Sequence, residues 1–78
     1  MEIVYFKLVD TGDILACTRK NSMITVWYKN GGWEMSPSSI WILEKDQKIA
    51  ELTEKEALAL CDNTSPKEVL EKILEMLK

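Results

Sequence analysis

Residues 23–35 read Met23-Ile24-Thr25-Val26-Trp27-Tyr28-Lys29-Asn30-Gly31-Gly32-Trp33-Glu34-Met35. An Asn-Gly pair between two runs of β-branched and aromatic residues predicts a hairpin. A type I′ turn needs positive φ at both central positions, and Asn followed by Gly adopts it at low steric cost. Pairing across that turn sets Tyr28 against Trp33 and Val26 against Met35.

Working outward toward the N-terminus, residues 3–9 and 14–19 alternate with period two on either side of Asp10-Thr11-Gly12-Asp13. Two strands are expected there. With Thr11-Gly12 as a tight loop, Val9 opposes Ile14, Leu8 opposes Leu15 and Phe6 opposes Cys17. A return through Asn21-Ser22 then sets Cys17 opposite Val26 and Leu15 opposite Tyr28. These turns together gather Val4, Phe6, Leu8, Leu15, Cys17, Ile24, Val26, Tyr28, Trp33 and Met35 on one face, the expected core. Tyr5, Lys7, Thr18, Lys20, Thr25, Trp27, Lys29 and Glu34 fall on the opposite, outward face.

Toward the C-terminus, Ser36-Pro37-Ser38-Ser39 leads into Ile40-Trp41-Ile42-Leu43. That stretch reads as a short helix with Pro37 in its first turn, or as a further strand. Residues 48–52 read as a short extended segment. Thr53-Glu54-Lys55-Glu56 fits a capping box opening a helix over 54–62, and Ser65-Pro66-Lys67-Glu68 repeats the signature before a helix over 66–77. On the last helix Val69, Leu70, Ile73, Leu74 and Leu77 form an apolar stripe with Glu68, Glu71, Lys72, Glu75 and Lys78 opposite. The expected architecture is α+β: an N-terminal antiparallel meander of three to four strands, packed on one face by two C-terminal helices. Residues 1–78 are expected to form a single domain, because a chain of 78 residues has material for one core.

Composition narrows the function classes. The apolar share is 46% and the charged share 29%, ordinary globular values that disfavour disorder and a membrane span. Net charge is -3 and the pI about 4.9. Up to residue 43, Lys7, Arg19, Lys20 and Lys29 balance Glu2, Asp10, Asp13 and Glu34, so the excess lies in the C-terminal part. Nucleic acid is therefore an unfavoured partner. The start, Met-Glu-Ile-Val-Tyr-Phe-Lys, lacks the cationic lead of a secretory signal, and a cytoplasmic setting is expected. Cys17 and Cys61 are too few for a disulfide framework and are expected reduced and buried. The match Asn63-Thr64-Ser65 reads as a helix junction rather than a glycosylation site.

Chemistry is sparse. The chain has no histidine, which removes the commonest general base and metal ligand, so neither an enzyme nor a metal or other cofactor is expected. Cys17 has no imidazole to activate it. Gly31-Gly32 precedes a strand and not a helix, so it makes a hairpin and not a phosphate cradle. Glu51, Glu54 and Glu56 are interleaved with lysines and read as solvated, helix-capping carboxylates. What remains is the outward face: Tyr5 and Trp27, with Lys7 and Thr25 beside them, form an aromatic patch of the kind that anchors protein interfaces. Trp41 joins them as an interface anchor or else lies in the core. The expected function is a small protein-binding module with a protein partner or a second copy. The alternative is single-stranded nucleic acid stacked on the aromatic face.

The order of a strand pair, the segment Asn30-Gly31-Gly32-Trp33-Glu34 and the helix start Leu52-Thr53-Glu54-Lys55-Glu56-Ala57 resembles a pattern in short proteins of Gram-positive bacteria and their mobile elements, over roughly residues 5–60. The resemblance implies the fold outline and a bacterial cytoplasmic setting, and carries no site residues.

Overall fold

The structure, a computed structural model, describes residues 1–21 and 23–77. Among these residues the order is β1 (Ile3–Leu8), β2 (Ile14–Thr18), β3 (Thr25–Lys29), β4 (Gly32–Met35), α1 (Ile40–Asp46), β5 (Ile49–Leu52), α2 (Glu54–Leu60) and α3 (Lys67–Met76). The strands form one antiparallel sheet in the order β4-β3-β2-β1-β5. The α+β architecture follows the sequence reading, with the ambiguous stretch settled as helix α1. The extended segment before α2 becomes the edge strand β5.

The three turns behave differently. Asn30 and Gly31 take φ of 51° and 81°, as a type I′ turn requires, and Tyr28↔Trp33 and Val26↔Met35 pair as expected. Between β1 and β2 the loop is longer than the expected tight turn. Leu8 N–H donates to the Asp13 carbonyl at 2.8 Å and Gly12, at φ 80°, donates to Leu8 at 2.8 Å. Phe6 therefore faces Leu15 rather than Cys17. That shift is two positions, one full period of a strand, so every β1 and β2 side chain keeps its side of the sheet.

The turn between β2 and β3 corrects the reading. Leu15 pairs with Trp27 and Cys17 with Thr25, one position from the expected register. An odd slip reverses β3 and β4 relative to β1 and β2. In this turn the Thr18 hydroxyl accepts from Asn21 N–H at 3.1 Å while Asn21 N–H also reaches the Thr18 carbonyl at 3.2 Å. This side-chain turn replaces the expected two-residue one. Ser22, assigned to that turn, lies outside the described residues.

The slip sorts the side chains into two buried layers. On one side Tyr5, Ile14, Ala16, Val26 and Trp33 pack with Ala57, Cys61 and Leu70 of the α2–α3 region to form the main core. On the other side lie Val4, Phe6, Leu8, Leu15, Cys17, Thr25 and Trp27, and α1 crosses over them. The crossing is forced by connectivity, since β4 and β5 occupy opposite edges and residues 36–48 must span the strands between them. Four inter-strand steps are about 19 Å, beyond the ~10 Å length of a seven-residue helix, so α1 lies as a short bar with extended leads. Ser39 gives α1 no side-chain cap; instead its first N–H, from Ile40, donates to Thr25 Oγ1 at 2.9 Å.

The C-terminal helices are fixed more conventionally. Thr53 and Glu56 form the expected capping box at 3.0 and 3.2 Å. The second signature is only half used: Ser65 Oγ accepts from Lys67 N–H at 3.2 Å, without a reciprocal Glu68 bond. Between the helices Asp62 and Asn63 take φ of 52° and 59°. That turn is tied to the hairpin by Tyr28 Oη donating to Asp62 Oδ2 at 3.0 Å and Trp33 Nε1 donating to the Thr64 carbonyl at 2.7 Å. The two rings meet edge to face at 5.5 Å.

Candidate functional site

The residues expected to share an outward patch are placed apart. Tyr5 is 2% exposed, beneath α2 and α3. Burial, with Glu54 and Cys61 nearby, pushes its phenol pKa above the ordinary range. Lys7 is on the same side and half-buried. Thr25 is also 2% exposed, but on the opposite side, under α1. Trp27 shares that second side and is half-buried, with Lys29 Nζ 4.4 Å above its ring. The expected patch of Tyr5, Lys7, Thr25 and Trp27 is thus not a surface, because the one-position slip sends its two halves to opposite faces. Trp41 is 59% exposed on α1, which removes it from the core. Met35, expected in the core, is also exposed.

What the fold does expose lies alongside α1. A bar of seven residues is too short to roof the whole sheet, and a trough remains between it and β1, β2 and β5. Its floor is Val4, Phe6 and Cys17, one wall is Ile40, Trp41 and Glu44, and the other is Ile49 and Glu51; the volume is about 300 Å³. A second hollow of about 510 Å³ shares Phe6, Glu44, Ile49 and Glu51 and extends past them to Val9 and Lys48. Ile42, next to Trp41, is 55% exposed. A trough with an apolar floor and a rim that includes Thr18, Arg19, Glu44 and Glu51 thus runs beside two adjacent exposed apolar side chains.

Charge and backbone complete the site. Arg19, at one end, is paired with Glu2. Glu44 and Glu51 form no ion pair among the described residues; Arg19 feels the charge of Glu51 through space, and Lys48 lines the second hollow beside them. β5 is an edge strand, and its bonding pattern follows from one contact: Val9 N–H donates to the Lys48 carbonyl at 3.0 Å. Hydrogen-bonded pairs alternate along an antiparallel ladder. Ala50 and Leu52, opposite Lys7 and Tyr5, therefore turn their backbone groups toward β1. Ile49 and Glu51 turn theirs away from β1, along the open edge of the sheet.

Comparison with protein-family models, curated proteins and solved structures finds no match. Cys17 and Cys61 are free and buried, and burial pushes both thiols up, away from the nucleophilic thiolate. Among the described residues no group of His, Cys, Asp and Glu has the arrangement of a metal site, and no helix is long and apolar enough to cross a membrane. Beside α1 the surface presents apolar side chains, two carboxylates and open strand backbone.

Sequence reasoning missed Phe6, Glu44, Ile49 and Glu51 as site residues. Two signals pointed to them. Ile40-Trp41-Ile42-Leu43 holds more adjacent apolar bulk than one face of a short helix can bury. Ile14-Leu15-Ala16-Cys17, apolar without alternation, is the pattern of a strand covered on both sides.

Proposed function

We propose that the domain is a small non-catalytic protein-binding module that contacts its partner through α1 and the adjoining trough. The observation that carries this reading is the exposed pair Trp41 and Ile42, 59% and 55% accessible, beside a trough whose floor is the apolar Val4 and Phe6. A large aromatic side chain held on a helix loses little entropy on binding and offers most of the contact area an interface hot spot needs. The absence of histidine and the raised thiols support a role in contact rather than turnover. The free buried thiols, together with the resemblance to short Gram-positive proteins, support a bacterial cytoplasmic setting. Single-stranded nucleic acid is the weaker reading: Tyr5 is not available for stacking, and Glu44 and Glu51 on the rim would repel phosphate.

The test is selection of a random peptide library on the intact chain, followed by titration of the selected peptides. Binding that falls by about tenfold or more in Trp41→Ala, and is unchanged in Leu60→Ala, an exposed residue of α2, supports the reading. Selected peptides indifferent to Trp41→Ala, or no selected peptide, would refute it.

A further inference from the structure

We infer that the partner segment binds as an added β-strand on β5, carrying a basic side chain that meets Glu51 and Glu44 with apolar residues on either side. This rests on the protein-binding reading of the trough and specifies the partner's chemistry. Three features converge on it. The backbone N–H and C=O groups of Ile49 and Glu51 point away from β1 along the sheet edge, a template for main-chain pairing with an extended chain. The next outward N–H, that of Thr53, is already taken by Glu56 Oε1 at 3.0 Å, so the open template ends at Glu51. The side chains that an added strand would meet on the α1 side are Ile49 and Glu51, one apolar and one anionic, two positions apart on one face.

Charge selects the occupant. Glu44 from α1 and Glu51 from β5 both line the two hollows and are not engaged in ion pairs among the described residues. A lysine or arginine opposite Glu51 satisfies them, while residues set against Ile49 and above Phe6 are apolar. A second copy fits worse. Two β5 strands paired around Ala50 would bring Glu44 and Glu51 of both copies to one seam, four carboxylates faced among the described lining residues by Lys48 and by Arg19, which Glu2 already pairs. The short open edge also argues for a peptide-sized contact of modest affinity.

The experiment uses peptides selected on the intact chain and resynthesised in N-methylated forms, one backbone nitrogen at a time. Strand addition predicts an alternating pattern: methylation at every second residue weakens binding about tenfold or more, and at the residues between has little effect. The selected sequences are expected to carry Lys or Arg within alternating apolar residues. On the protein side, Glu51→Pro removes the outward N–H without touching the β1 ladder and is expected to lose about tenfold, while Glu51→Gln, which keeps it, loses only a salt-sensitive fraction of about threefold. Circular dichroism of Glu51→Pro reports whether the sheet is retained, and the N-methyl series stands regardless. Binding that depends on Trp41 but tolerates methylation at every position, or favours acidic peptides, overturns strand addition and leaves the protein-binding reading in place. Loss of both the peptides and the Trp41 dependence overturns the two together. A parent dimer that dissociates in Glu51→Pro would put a second copy on β5 and also overturn the proposal.

Discussion

Replacing Thr25 by Val tests how α1 is held on its side of the sheet. Thr25 is 2% exposed, and its Oγ1 accepts the Ile40 N–H at 2.9 Å. Valine has nearly the same shape but no acceptor, so the first donor of α1 is left buried and unsatisfied. Such a group costs about 1–3 kcal/mol. The added methyl returns up to about 0.8 kcal/mol of apolar burial. With the offset in full, the expected net loss is about 0.2–2.2 kcal/mol, which in a domain of this size lowers Tm by about 1–18 °C. Thr25→Ser keeps the acceptor and loses the methyl, so it is expected to be milder. Urea unfolding of the three chains gives the free energies, and amide exchange at Ile40 reports the local opening. The reasoning fails if Thr25→Val equals Thr25→Ser in stability with the Ile40 amide still protected.

Three further outcomes are expected. Leu70→Ala, at a fully buried position facing the sheet, is expected to cost about 2–5 kcal/mol in urea unfolding, whereas exposed Leu77→Ala stays within about 0.5 kcal/mol. Glu56 has its pKa lowered by the hydrogen bond from the Thr53 backbone and then by that from its side chain. A lowered folded-state pKa stabilises above the unfolded carboxylate range and loses that contribution as pH falls through the folded value. The stability gap between parent and Glu56→Gln is therefore expected at pH 7 and to narrow by pH 3; a gap independent of pH would contradict the capping role. Both thiols, raised by burial, are expected to react with a disulfide reagent only as the chain unfolds, so that labelling tracks the urea transition; rapid labelling of the native chain would contradict their burial.

Local signals were read well from the sequence because their physics is local. Asn30-Gly31 demands a turn wherever it sits, and Thr53 with Glu56 caps a helix with atoms three residues apart. The side chosen by each strand was another matter. Alternation reveals a face only when one side of a sheet is wet, and here α2 and α3 cover one side while α1 covers part of the other. All of β2, from Ile14 to Thr18, is buried, so its pattern fits either register equally. The turn that goes with the observed register is held by hydrogen bonds between Thr18 and Asn21, contacts that no periodicity reports. Tyr5 and Trp27 are separated by the one-position shift of β3 on β2. The trough was illegible for the same reason: it exists because α1 crosses a face that the strand pattern had assigned to the two C-terminal helices.

The central claim is that β3 pairs with β2 so that Tyr5 lies in the main core while Trp27 turns toward α1. Ala16 and Val26 form a hydrogen-bonded pair in this register, which makes Leu15–Trp27 and Cys17–Thr25 the close, non-hydrogen-bonded pairs. Proton NMR reads such pairs directly, since their Hα atoms approach closely enough for strong cross-relaxation. Hα–Hα cross-peaks between Leu15 and Trp27 and between Cys17 and Thr25 are predicted. Cross-peaks joining Leu15 to Tyr28, or Cys17 to Val26, in their place would contradict the account.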